Sequence, residues 1–186
     1  MRAENCSVVL NTISTTYFKE IKQEIIESVK KHQLDHKFIK LLYVGAIEKR
    51  KKVLELISIL NELGDVKRKF HLTVVGDGDH LEACKLHIKK NDISNVVFAG
   101  RIYDKEELKD YYFSADLFVM PGDGGLAIAQ SLLFGLPAVC VAADGTERDY
   151  IDNGDYILDS LGELASFLKV FTSDYSRESV LASMDR

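Results

Sequence analysis

Short apolar runs alternate along this chain with longer stretches in which apolar positions recur every three or four residues. IKLLYVG (Ile39–Gly45), FHLTVVG (Phe70–Gly76), NVVFAG (Asn95–Gly100), DLFVM (Asp116–Met120) and PAVCV (Pro137–Val141) are brief and β-rich, as strands buried on both faces are. Between them Val53, Leu56, Ile57 and Leu60 share one helical face, as do Leu81, Cys84 and Ile88, then Leu108 with Tyr111 and Tyr112, then Ile128, Leu132 and Leu133. The alternation predicts βαβ units with right-handed crossovers, hence a Rossmann-like α/β fold with a doubly wound, mostly parallel sheet. Gly45, Gly76, Gly100 and Gly122 stand at strand ends and therefore gather along the carboxyl edge of that sheet, where open α/β sheets bind ligands.

The two ends read differently. Thr16 to His32 forms a charged amphipathic helix with Phe18, Ile21, Ile25 and Val29 on one stripe, after a polar lead-in at Asn11 to Thr15. Leu161 to Phe171 reads as a helix, and Tyr175 to Met184 as a short terminal one. The expected division is an N-terminal helical arm at 1–36, a single Rossmann-like domain at 37–172 and a C-terminal helix at 173–186. There is no internal repeat, and the only prolines, Pro121 and Pro137, bracket one segment.

That segment, PGDGGLAIAQSLLFGLPAVCV, holds a glycine-rich turn, a helix and a buried strand. Gly122, Gly124 and Gly125 allow close approach of backbone to a ligand. A helix opening near Leu126 turns unpaired N–H groups and the positive end of its dipole toward the same place, which suits an anion such as phosphate; the same glycines also suit a tight strand-to-helix turn alone.

A chain of 186 residues is long enough for one domain with a sizeable core, or one domain plus an arm. Its net charge of −5 argues against nucleic-acid binding by the whole surface. No apolar run approaches the roughly 20 residues of a membrane span, and the N-terminal segment lacks a signal-peptide core, so the expected location is the cytoplasm. Cys6, Cys84 and Cys140 are too scattered for a zinc site or a disulfide framework. His71, His80 and His87 have no metal or triad spacing. Gly76-Asp77-Gly78 is a turn rather than a dinucleotide fingerprint, because Leu81 stands where the third glycine belongs.

The ordered run LLYVGAIEKRKKVLELI, HLTVVGDGDHLE, NVVFAGRIYDKEELKDYYFSADLFVMPG, GLAIAQSLLFGLPAV and DGTERDYIDNGDYI resembles the nucleotide-sugar-binding, C-terminal half of a family-four retaining glycosyltransferase of the two-Rossmann-domain (GT-B) type. The resemblance covers about Lys37 to Phe171 and is strongest to bacterial enzymes of capsule, O-antigen or exopolysaccharide assembly, whose loop often reads P-G-x-x-G-L. It implies transfer of a hexose from a nucleoside-diphosphate sugar to a glycan or lipid-linked acceptor, with no metal or other cofactor. It also implies an N-terminal domain, in cis or in trans, that supplies most of the acceptor site, and peripheral association of the full enzyme with the inner face of the cell membrane. The arm is too short to be that domain. The chain is then a piece of a longer enzyme, a truncated frame or half of a split transferase, expected to bind donor weakly and not to turn over alone.

Such an enzyme stabilises negative charge growing on the leaving diphosphate. The resemblance places a cation on Lys51, six residues after Gly45, but its usual Arg position is Ala46. Arg50 and Lys49, in KRKK, are the candidate substitutes, so Lys51 and Arg50 are the expected catalytic groups; the alternative for KRKK is a solvated basic loop. The family's two glutamates fall on Gly122 and Gln130. Gln130 still offers an amide to ribose hydroxyls, and Asp123 is the nearest carboxylate or simply a turn residue. Gly76 is an expected substrate contact, and Gly100 and Arg101 line the expected base side, where Arg101 either stacks on the base or lies on the surface. Glu147 matches an acidic position near the diphosphate, or is a helix N-terminal Glu. The second function carried by these residues is a non-catalytic nucleotide-sugar-binding or interaction domain.

Overall fold

A computed structural model describes residues 15–31, 38–63, 70–151 and 156–171. Six strands, β1 (Ile39–Val44), β2 (Phe70–Val75), β3 (Val96–Gly100), β4 (Leu117–Met120), β5 (Ala138–Val141) and β6 (Ile157–Leu158), form one sheet in the order β3-β2-β1-β4-β5-β6. Every pairing is parallel. The expected doubly wound α/β fold is what the chain adopts. The two-residue β6 is an addition at the sheet edge that no apolar run announced.

Helices α3 (Val53–Glu62), α4 (Leu81–Lys90), α5 (Lys105–Ser114), α6 (Leu126–Leu133) and α7 (Leu161–Val170) follow their predicted stretches. Val53, Leu56, Ile57 and Leu60, the predicted face of α3, are fully buried. Right-handed crossovers that step outward in opposite directions from the centre must put their helices on opposite faces. Accordingly α3 packs against α4 and α7, while α5 and α6 meet on the other face, where Phe113 of α5 meets the Phe134 ring edge-on.

The helix expected from Thr16 to His32 is two helices, α1 (Thr15–Glu20) and α2 (Lys22–Lys31), interrupted at Ile21. They dock on the second face. Phe18 meets Phe134 edge-on at 4.9 Å, and Phe134 stacks on the buried Tyr112 ring at 4.7 Å. Polar contacts surround this apolar seat: Tyr17 donates to Glu106 at 2.8 Å, and Lys109 pairs with Glu24 at 2.7 Å and also with Glu106. The lead-in at Asn11 to Ser14 and the helix expected at Tyr175 to Met184 lie outside the described residues.

Candidate functional site

The chain leaves neighbouring strands β1 and β4 toward opposite faces, which opens a crevice between their following loops, the switch point of a doubly wound sheet. Two glycine-dependent contacts set the crevice floor. Gly45 N–H donates to Val75 O, Ile47 N–H to Asp77 O and His80 N–H to Ile47 O, so the β1 loop lies along the β2 loop. A Cβ at Gly76 would fall on the Gly45 carbonyl oxygen and one at Gly78 on that of Ile47, so side chains are excluded there by backbone rather than by movable atoms. Gly122 does the same on the other side: its missing Cβ would collide with the Arg50 carbonyl oxygen.

KRK at 49–51 forms a single 3-10 turn that ends at Lys52, whose left-handed backbone (φ 54°) starts α3. That conformation is costly for a residue with a Cβ and marks a loop held in place by its surroundings. The turn sends two cations toward the glycine loop. Lys51 Nζ donates to the Asp123 carbonyl at 2.6 Å and the Gly124 carbonyl at 3.4 Å. Arg50 Nη1 pairs with Asp123 Oδ2 at 2.9 Å, and its Nε donates to Glu48 Oε2 at 2.7 Å. Burial, and next the Arg50 charge, hold the Lys51 ammonium below the usual lysine range. Lys49 opens the turn and is exposed.

The β4 loop then runs into α6 without a capping side chain. Gly125 occupies the cap position at φ 91°, and no side chain bonds the first N–H groups from there. Leu126, the first residue of the helix, is exposed beside them. Gln130, one turn further, accepts from Tyr112 Oη at 3.3 Å through its amide oxygen. Its amide N–H₂ is the half of the group left to offer a ligand.

Three predicted residues lie away from this junction. Gly100 ends β3 with a positive φ of 77° in open space and accepts from Gly76 N–H through its carbonyl. Arg101 follows it and lies over the ring of Tyr103, with Cζ 5.9 Å from the centroid and Nη1 donating to the phenol at 3.0 Å. Glu147 is buried (2% exposed), and its two oxygens accept from Ala143 N–H and Gly145 N–H, both at 3.2 Å. Its carboxylate holds the loop after β5 rather than facing the crevice.

Several residues that sequence reasoning passed over shape the site. Tyr43, fully buried in β1, donates to the Ala46 carbonyl at 2.7 Å and so fixes the loop at the position where the resemblance implies an Arg. Asp144 accepts from Thr146 Oγ1 at 2.6 Å and from Thr146 N–H at 3.1 Å, which hold its carboxyl below the usual range; the Lys51 charge adds to the effect. Tyr103 is 81% exposed, an aromatic platform beside the end of β3. An exposed aromatic after a strand-end glycine is the signal that would have marked it. Among the described residues no group of three His, Cys, Asp or Glu side chains is placed to hold a metal, and no helix is long and apolar enough to cross a membrane.

An all-parallel doubly wound sheet with glycine loops meeting at its switch point defines a Rossmann-like α/β domain. The profile described as "Glycosyl transferases group 1" matches residues 24–166, and the chain belongs to that family. It is 28% identical over 123 residues to an uncharacterized 41.2 kDa protein in the cps region of Klebsiella pneumoniae, a match covering 63% of this chain and 32% of the relative. It is 31% identical over 91 residues to the protein CapJ of Staphylococcus aureus, covering 47% and 22%. The matched segments thus span about a third or less of these relatives' lengths. Among solved structures it resembles the lipopolysaccharide outer core galactosyltransferase WaaB (TM-score 0.69, 16% identity, 83% of this chain and 46% of that one). It also resembles Anabaena Alr3699/HepE in complex with UDP and glucose (TM-score 0.60, 18% identity, 92% and 48%). The C-terminal domain of the group 1 glycosyltransferase LpcC from Francisella tularensis matches over 86% of this chain and 92% of its own (TM-score 0.59, 16% identity). The fold is that of GT-B glycosyltransferase domains.

Proposed function

We propose that this chain is the donor-binding half of a retaining glycosyltransferase and that it holds the diphosphate of a nucleoside-diphosphate hexose at the junction of the β1 and β4 loops. The observation that carries the reading is the meeting of Lys51, Arg50 and the uncapped start of α6 around Gly122–Gly125. Charge growing on a departing diphosphate is stabilised by cations and helix N–H groups already in place. In this reading Lys51 and Arg50 neutralise the diphosphate, with Lys49 beside them. The backbones of Gly45, Gly122, Gly124, Gly125 and Leu126 approach it, and Gln130 meets the ribose. Gly76, Gly100 and Arg101, with Tyr103, border the base. Asp123 acts through Arg50. Glu147 supports the β5 loop from below.

The relative from a cps region, the relative CapJ and the HepE complex with UDP and glucose support a role in polysaccharide assembly with a sugar nucleotide as donor. The acceptor is a glycan or a lipid-linked glycan, turnover needs an N-terminal domain in cis or in trans, and the work is done in the cytoplasm, with the full enzyme peripheral at the membrane. No metal or other cofactor takes part. Titration calorimetry with UDP, GDP and ADP tests the reading: heat with at least one at millimolar concentration supports it, and none with any of the three sinks it.

A second reading is favoured by Gly122 and Gln130 standing where the resemblance implies glutamates. It makes the chain a non-catalytic nucleotide-sugar-binding or interaction domain. Joining the chain to a family N-terminal domain and assaying sugar-nucleotide hydrolysis or transfer separates the two, since a binding domain yields no turnover.

A further inference from the structure

Arg50 meets two carboxylates of its own chain. Glu48, two residues back on the same loop, takes Nε at 2.7 Å; Asp123, on the glycine loop 73 positions away, takes Nη1 at 2.9 Å. A carboxylate offers a guanidinium the same planar, charge-assisted contact that a phosphate oxygen offers. Asp123 thus fills, from within the chain, a donor that a diphosphate in the crevice would use. Lys51 is held by the same residue, but through the backbone carbonyl. The side chain at 123 is therefore separable from the tether that holds Lys51.

We infer that Asp123 is an internal counter-anion of the proposed donor site: its carboxylate pairs with Arg50, is displaced when a diphosphate binds, and so sets donor affinity by competition. The inference rests on the donor-site reading above. A purely positioning role for Asp123 is the weaker account. The Arg50 and Asp123 side chains are 58% and 30% exposed, so a diphosphate can break the pair at a cost of about fivefold or less in affinity. A carboxylate left within ion-pair distance of a bound diphosphate, by contrast, is repelled by every charge the ligand carries. The arrangement also sorts ligands by charge. A nucleoside without phosphate has nothing with which to displace the carboxylate, whereas a diphosphate exchanges for it oxygen by oxygen.

Asp123→Asn keeps the backbone carbonyl and the side-chain size while removing the charge. Calorimetric titration of the 186-residue chain with UDP, GDP, ADP, inorganic pyrophosphate and uridine is run on the wild type, Asp123→Asn, Arg50→Ala and the double variant. The expected result is diphosphate and pyrophosphate binding tightened roughly three- to tenfold in Asp123→Asn, with uridine unchanged and the gain falling below about twofold when Arg50 is Ala. Unchanged or weaker diphosphate binding in Asp123→Asn overturns the proposal, as does a full gain that persists without Arg50. If Asp123→Asn tightens pyrophosphate alone and no protein binds a nucleoside diphosphate, the counter-anion stands and the donor reading falls. If no anion binds any of the proteins, both fall.

Discussion

The Lys51 ammonium donates to the carbonyl oxygen of Asp123 at 2.6 Å, joining the loop after β1 to the loop after β4 across 72 positions of sequence. The contact brings the proposed site together from two βαβ units, because each loop supplies what the other lacks. The β1 loop brings cations, and the β4 loop brings glycines and a helix start.

Replacing Lys51 with Ala removes the tether and, in the proposed donor site, a charge-assisted contact to the diphosphate. Nucleoside-diphosphate affinity is expected to fall about tenfold or more, with a stability loss of about 1 kcal/mol read from urea unfolding. Lys51→Arg is expected to restore little, since a longer planar fork does not fit where a point charge meets two backbone carbonyls. Undiminished affinity in Lys51→Ala removes this residue from the phosphate site.

The glycines differ in what an added methyl group meets, and the differences order their variants. Gly122→Ala and Gly76→Ala drive a Cβ into backbone oxygens of Arg50 and Gly45, and each is expected to cost about 2 kcal/mol or more. Gly162→Ala, in α7 with its Cβ at ordinary contact from Ser160, is expected to gain about 0.5–1 kcal/mol. Chemical denaturation of the three variants tests the order.

Tyr43→Phe leaves the ring in place and deletes the donor to the Ala46 carbonyl. Burial pushes the Tyr43 phenol well above the usual range, so the hydroxyl stays protonated and donating through physiological pH. The variant is expected to cost about 1–2 kcal/mol and to speed amide exchange in the Gly45–Lys51 loop. Exchange unchanged there contradicts the role given to Tyr43.

The arm carries a pH dependence of known sign. Lys109, first, and then Tyr17 hold Glu106 below the usual carboxylate range by hydrogen bonding. A depressed folded-state pKa adds stability above the unfolded value, about 4.3, and that stability is lost as pH falls through the folded one. At the other extreme the Tyr17 phenol, pushed up to about 12 by burial and then by Glu106, adds stability below about pH 10 that is lost as pH rises toward 12. Amide exchange in α1 and α2, corrected for intrinsic rates, is expected to accelerate at both ends relative to α3. Glu106→Gln is expected to abolish the acid limb.

The sheet and its helices were legible because their signals are local. Five strands followed from runs of four to six mostly apolar, β-rich residues, and the buried face of α3 from residues spaced three and four apart. The two residues of β6 carry no pattern of their own and pair only because β5 is already in place. The break at Ile21 is likewise invisible in periodicity, since Phe18, Ile21 and Ile25 keep one stripe through it. The glycine loop and KRKK were both visible as chemistry, but the pairing of Arg50 with Asp123 depends on β1 and β4 lying side by side. Glu147 shows the opposite limit: an acidic residue in a promising segment turned inward to satisfy N–H groups two and four residues away.

Mapping amide chemical shifts while titrating the nucleoside diphosphate that binds best tests the central claim most directly. The account predicts shifts concentrated at Gly45–Lys52 and Gly122–Gln130, with smaller ones around Gly100–Tyr103, and none near Lys40 and His71 at the opposite edge of the sheet. Shifts confined to that opposite edge or to the arm helices, or no shifts at saturating nucleotide, contradict a donor site at the junction of the β1 and β4 loops.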